Sequence, residues 1–306
     1  MRLSFSSTQW LLISTMLVKL SLAETLWEPM PVEAAVDIEF SKENPAKMII
    51  GSYWGGVLLS EDGGQTVQNI ADNISPQDMV FHPLSDDTIY VACGWNNLGI
   101  TSRGVLKIVL SPEGNTTEWL INGLLLLHDS GQVSNIVATY TDKLILYATV
   151  TYFIDSNLYK SIDGGKSWEL IPFAEPHLVK ELTAIPGNAT NLFFRETGNY
   201  IFKSADFGES WNQLTYGDNP SAFPRDIDIN PLNPSTIYVA TRYEGIMRSY
   251  DGGESWHQVI GTEYGEVYGV AINPADTSQI AMATNQGVFF SFTHGMHNEH
   301  IVRLKV

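Results

Sequence analysis

Ser249-Tyr250-Asp251-Gly252-Gly253-Glu254-Ser255-Trp256 decides the fold, because the chain carries this pattern four times. It recurs at Ser60-Glu61-Asp62-Gly63-Gly64-Gln65-Thr66-Val67, at Ser161-Ile162-Asp163-Gly164-Gly165-Lys166-Ser167-Trp168 and at Ser204-Ala205-Asp206-Phe207-Gly208-Glu209-Ser210-Trp211. The first copy departs from the others, with Val67 in the Trp place. The four aspartates lie 101, 43 and 45 residues apart, so the long gap holds two units. Self-similarity at such a period marks a repeat architecture.

Each copy reads as a stiff turn. A short Asp side chain accepts backbone N–H groups a few residues on and closes an Asx turn. Glycine supplies the positive φ. The hydroxyls satisfy remaining backbone groups, and Trp168, Trp211 and Trp256 open the next strand with a large buried surface. Asp62, Asp163, Asp206 and Asp251 are therefore read as structural, not as catalytic or calcium-binding residues.

The same strands recur around each turn. A short alternating strand comes first, as in Asp37-Ile38-Glu39-Phe40, Asp78-Met79-Val80-Phe81 and Asp226-Ile227-Asp228-Ile229. A Pro-containing turn follows, then a β-branched, aromatic-rich strand such as Thr88-Ile89-Tyr90-Val91 or Thr236-Ile237-Tyr238-Val239. A third strand enters the turn and a fourth carries the Trp. Four antiparallel strands per roughly 45 residues make one propeller blade. Two units are degenerate. One keeps Ser111-Pro112-Glu113-Gly114 and Trp119; the other reaches Gly287-Val288-Phe289-Phe290-Ser291 and has no Asp. The expectation is an all-β, six-bladed propeller with blades starting near Asp37, Asp78, Asn135, Leu182, Asp226 and Tyr268. No seventh unit is found. The segment 25–30, with Trp27, resembles a fourth strand and is expected to complete the last blade, ahead of the competing segment 301–306.

The repeat resembles the Asp-box, or BNR, repeat of sialidases, sortilin-type receptors, xyloglucan-degrading glycosidases and the photosystem II assembly factor. The resemblance implies that the boxes join strands three and four on one face. It places ligands on the other face, at the loops between strands two and three and between blades. There the sequence offers Trp54, Trp95, Arg103, Tyr152, Arg195, Arg225, Arg242 and Tyr243 as ligand-binding candidates. Arginine forks take carboxylates bidentately, and aromatic faces stack on sugars or peptide side chains. The bland alternative is that the arginines pair with neighbouring acids such as Glu196 and Glu244.

A sialidase-like glycoside hydrolase is the alternative function. The resemblance would then give an arginine triad, with Arg103, Arg195 and Arg242 as candidates, and Tyr243, Glu244 or Glu263 as catalytic groups. The Arg-Ile-Pro motif expected before the first box is missing. The reading favours a non-enzymatic binding or scaffold propeller that recognises a protein or a glycan.

The first 23 residues read as a signal peptide: Arg2, an apolar run from Trp10, and Ser21-Leu22-Ala23 before Glu24. Residues 24–306 are expected to form a single propeller domain, monomeric and without a membrane span, secreted or periplasmic. The formal net charge of −17 disfavours nucleic acid and anionic membranes. One cysteine, Cys93, allows no disulfide within the chain and is read as a buried apolar residue. The seven histidines show no paired ligand spacing, and no cofactor motif occurs, so no metal or cofactor is expected. Asn73, Asn115 and Asn188 head Asn-x-Ser/Thr sequons, which would matter in a eukaryotic secretory route.

Overall fold

The computed structural model describes residues 35–95, 101–124, 131–152, 155–173, 177–185, 188–196, 200–214, 223–259, 266–273, 276–291 and 302–304. The expected signal peptide, the segment 25–30 and Glu263 lie outside the described residues, as does the Arg103 side chain.

Among the described residues there is no helix, and so none long and apolar enough to cross a membrane. The strands form six four-stranded antiparallel sheets, each with its strands in chain order. Sheet 1 holds Ala35–Phe40, Met48–Ser52, Gly56–Ser60 and Gln68–Asp72. Sheet 2 holds Pro76–His82, Ser85–Trp95, Thr101–Val109 and Thr116–Leu120. Sheet 3 holds Gln132–Tyr140, Leu144–Thr151, Ser156–Ser161 and Glu169–Ile171. Sheet 4 holds Val179–Ile185, Asn188–Glu196, Ile201–Ser204 and Asn212–Leu214. Sheet 5 holds Pro224–Ile229, Ile237–Thr241, Ile246–Ser249 and His257–Gln258. Sheet 6 holds Val267–Ile272, Ile280–Thr284, Gly287–Ser291 and Val302–Leu304. The first strands match the expected blade starts.

One expectation is overturned. The fourth strand of sheet 6 is the C-terminal Val302–Leu304, paired with Val288–Phe290, and not the segment 25–30. The Trp signature that favoured 25–30 belongs to strands that follow an Asp turn. Sheet 6 has no such turn, so its fourth strand needs no Trp.

Contacts divide the chain into two compact units. One comprises Met30–Thr197 and Lys203–Asn212; the other includes Gly198–Phe202 and Gln213–Val306. In the first unit the core lies between neighbouring sheets. The second strand of sheet 2 shows how. Ile89, Val91 and Cys93 face a cluster shared with sheet 1, while Tyr90 and Ala92 face a cluster shared with sheet 3. A strand buried on both faces reads as a continuous apolar run, and the period of two assigns alternate residues to the two cores. Cys93 is buried in the first of these. In the second unit, Tyr238, Ala240, Val270, Ile272 and Met282 form the equivalent core between sheets 5 and 6.

The four Ser-x-Asp hairpins share one geometry. In the Ser161 copy, the buried Ser161 Oγ accepts the Gly165 N–H at 2.8 Å and donates to Asp163 Oδ1 at 2.8 Å. Asp163 Oδ1 accepts the Ser167 N–H at 3.0 Å, and Oδ2 accepts the Ser167 hydroxyl at 2.6 Å. The Ser60, Ser204 and Ser249 copies repeat these bonds. Hydrogen bonds from the Thr66, Ser167 and Ser210 hydroxyls are the leading cause that holds Asp62, Asp163 and Asp206 down to about 2.

The second glycine of the hairpin is also a joint. A methyl group at Gly165 would lie 2.4 Å from Leu120, one at Gly208 3.2 Å from Ile171, and one at Gly253 2.8 Å from Leu214. In each case the partner ends the fourth strand of the preceding sheet. The hairpin of one sheet thus seats on the last apolar residue of the one before. The degenerate hairpin of sheet 2 has no glycine at this place: Asn115 stands there and is exposed. Trp119, the counterpart of the hairpin Trp in this degenerate unit, is 42% exposed. The extra residue between Gly114 and Trp119 turns it to the open side of the outer strand.

Candidate functional site

Loops between strands two and three leave each sheet at the end opposite the Ser-x-Asp hairpins, as antiparallel order requires. At that end all six first strands carry a β-bulge. It leaves Val36, Gln77, Ser134, Lys180, Arg225 and Tyr268 as the extra residues. A bulge bends the strand and re-aims its side chain. In sheets 5 and 6 it displays Arg225 and Tyr268.

These two residues meet Arg242 and Tyr243 from the loop of sheet 5. The Arg242 Nε donates to Glu266 Oε1. Arg225 Nη2 stands 3.8 Å from Glu266 Oε2. One carboxylate therefore sits between two guanidinium groups. Arg242 lies 5.1 Å over the Tyr243 ring and Arg225 5.8 Å over the Tyr268 ring, both within cation–π reach. Phe223 stands edge-on to Tyr243 at 5.6 Å. Tyr243 is 54% and Tyr268 45% exposed.

The loop is held by its own backbone. Thr241 Oγ1 accepts the Glu244 N–H at 2.9 Å and donates to the Gly245 carbonyl at 2.9 Å. The Arg242 N–H donates to the Phe223 carbonyl at 3.0 Å. Phe223 itself has φ +40°. A bulky residue in that region is strained, and such strain gathers at ligand clamps. The hydrogen bond from Arg242 is the main cause that lowers the Glu266 pKa, and the same bond raises that of Arg242. Two cations here flank one anion in a chain of net charge −17.

The other candidates divide. Trp54 is 56% exposed and stands edge-on to Tyr53 at 5.8 Å, and Trp95 is exposed at the end of its strand. Tyr152 is half-buried and packs on the core between sheets 2 and 3. Arg195 is corrected. It lies buried in a strand, opposite Glu181, and its Nε donates to Glu181 Oε2 at 3.3 Å. Among the described residues Arg195 pairs with Glu181, and Arg225 and Arg242 both pair with Glu266. Glu196 instead meets His177 Nδ1 at 2.6 Å. The Glu244 carbonyl accepts from Gln258 Nε2 at 2.8 Å.

Asp78 has a pKa raised by burial and then by Asp37. Such an acid often marks catalysis. Here its Oδ1 accepts the Met79 N–H at 3.0 Å and its Oδ2 the Ile136 N–H at 2.9 Å, so it ties the first strand of sheet 2 to that of sheet 3. Among the described residues no three His, Cys, Asp or Glu side chains are grouped as metal ligands would be.

The sequence matches no family model and no curated protein. Solved structures do match. A GH74 enzyme from Niastella koreensis superposes with a TM-score of 0.65 at 14% identity, over 88% of this chain and 46% of its own. YCF48 from Cyanidioschyzon merolae gives 0.62 at 17%, over 90% and 86%. The β-propeller domain of Cps50 (Swd1) from Myceliophteria thermophila gives 0.64 at 11%, over 85% and 84%. The chain is a six-bladed β-propeller. Its resemblance to other propellers is borne out at the level of fold, the level that such identities show. The propeller spans less than half the length of the GH74 enzyme.

Proposed function

We propose that this propeller is an exported, non-enzymatic binding protein that recognises a protein or glycan through the end of its sheets opposite the Ser-x-Asp hairpins. The observation that carries this reading is the cluster of Arg225, Arg242 and Glu266 flanked by exposed Tyr243 and Tyr268. It is an open, aromatic surface that carries two guanidinium groups. Among the described residues, no acceptor other than Glu266 reaches the Arg242 guanidinium. Its terminal nitrogens can take a carboxylate in the geometry that arginine favours, and the tyrosines offer faces for a sugar or an apolar side chain.

Catalysis fits this surface less well. A glycosidase of the two-carboxylate kind needs a carboxylic acid kept protonated near neutral pH beside a second carboxylate. Glu266 is shifted the other way, toward the ionised form. Asp78, which is shifted upward, spends both oxygens on backbone N–H groups.

The test is an array of peptides bearing acidic side chains or free C-termini, together with acidic oligosaccharides. The folded chain should retain a subset of them. Removing both guanidinium groups in Arg225→Ala/Arg242→Ala should weaken that binding about tenfold or more, since a charge-assisted hydrogen bond contributes roughly 1.5–3 kcal/mol. Equal retention by the double variant would place recognition elsewhere.

A further inference from the structure

The hairpin between Thr101–Val109 and Thr116–Leu120 stands apart from the other Ser-x-Asp turns. It has Glu113 where they have Asp, and it makes none of their hydroxyl–carboxylate clasp. Where Gly165, Gly208 and Gly253 are each pressed against the preceding sheet, this turn has the exposed Asn115 in the same place. Every residue from 111 to 119 is exposed. The repeat has released this turn from the packing that defines it elsewhere, and the released turn carries the sequon Asn115-Thr116-Thr117.

The three sequons are not equivalent in the fold. Asn188 is half-buried at the start of a strand, and its Oδ1 accepts both the N–H of Thr190 at 3.1 Å and its hydroxyl at 2.6 Å. Asn73 is held at φ +56°. Ile74 and Ser75 behind it are buried, and Pro76 follows. Asn115 has neither restraint. Its one side-chain contact among the described residues is a long one, Oδ1 accepting the Ser111 N–H at 3.4 Å. Nδ2, the atom that would be modified, makes none. Thr117, whose hydroxyl completes the sequon, is exposed in the outer strand opposite Ile108.

We propose that Asn115 is the acceptor of an N-linked glycan, a reading that rests on export of the chain. The donor is an oligosaccharide carried on a lipid pyrophosphate. The C1–O bond to the pyrophosphate breaks, the Asn115 Nδ2–C1 bond forms, Nδ2 loses one proton, and the lipid pyrophosphate leaves. No side chain has to move to admit the sugar. Thr117 and Trp119 share one face of the outer strand that Asn115 immediately precedes, so the glycan attaches close to exposed Trp119 and the outer edge of sheet 2. An exposed apolar residue on a free edge invites pairing with other chains, and a bulky hydrophilic group there opposes it.

The full-length chain, secreted from a eukaryotic cell, gives the test by intact mass and peptide mapping before and after peptide N-glycosidase. The expected product starts at Glu24 and loses one glycan mass at Asn115 on treatment. Asn115→Gln and Thr117→Ala should each abolish that loss, while Asn73→Gln and Asn188→Gln should retain it. A secreted chain that starts at Glu24 and carries no glycan at Asn115 overturns the proposal alone. A chain that stays inside the cell with residues 1–23 intact overturns the export reading and the proposal with it.

Discussion

Gly123→Ala should destabilise the chain by about 3–5 kcal/mol, in the range that single substitutions reach only through a defined structural fault. Gly123 has φ +92°, which L-residues adopt at a cost of roughly 1–2 kcal/mol. Its added methyl would also lie 2.3 Å from the Trp168 carbonyl oxygen. The far end of a side chain could swing aside; a backbone carbonyl cannot. It is fixed by two bonds across the same joint. Trp168 donates its N–H to the Asn122 carbonyl at 2.9 Å, and Asn122 Nδ2 donates to the Lys166 carbonyl at 3.2 Å. The substitution must therefore prise the hairpin of sheet 3 away from the end of sheet 2. Each kcal/mol lowers the Tm of a domain this large by roughly 2–4 °C. Thermal melting should thus show a drop on the order of 10 °C. Gly114→Ala, at a hairpin glycine that contacts nothing, tests the packing part of the argument. It keeps the φ strain and lacks the clash, so its loss should be clearly smaller.

Trp168→Ala should cost a similar amount, about 3–5 kcal/mol, from the other side of the same joint. Trp168 is 4% exposed and belongs to the core between sheets 2 and 3. Its Nε1 donates to the Leu120 carbonyl at 3.1 Å. Truncation empties a large apolar volume and leaves that carbonyl without its donor. Trp256 is the control. It is half-buried, and its Nε1 donates to Gly253 in its own turn at 3.0 Å. Trp256→Ala removes less buried surface, and the Nε1 bond it breaks lies within a single turn, so urea unfolding should show a smaller loss. Equal losses for the two tryptophans would mean that the bond between sheets contributes little.

The repeat made the architecture legible. Spacing of the Ser-x-Asp turns, alternation in the first strands and apolar runs in the second located all six sheets. The sixth sheet shows where this stops. Trp27 resembled the other fourth strands, but pairing is decided by which segment lies beside Gly287–Ser291, and Val302–Leu304 fills that place.

The site was legible in residue type and not in pairing. Arg242 and Tyr243 were found because a loop between strands two and three exposes them, and Arg225 from its place at the turn into sheet 5. Glu266 was missed. It precedes the strand whose bulge presents Tyr268, and only the bulge in each first strand brings it against both arginines. Arg195 failed for the same reason in reverse. The bulge at Lys180 sets Glu181 opposite Arg195, which turns an expected loop residue into a buried pair. A skipped residue shifts every later side chain to the other face, and no local signal in the sequence marks the skip.

The central claim is that this propeller binds and does not turn over its ligand. A panel of fluorogenic glycosides, sialosides included, tests it most directly when incubated with the mature chain and with Glu244→Gln. The account predicts no release of fluorophore above the blank by either protein. Turnover by the mature chain that Glu244→Gln abolishes would contradict it and put an active centre beside Arg242 and Tyr243.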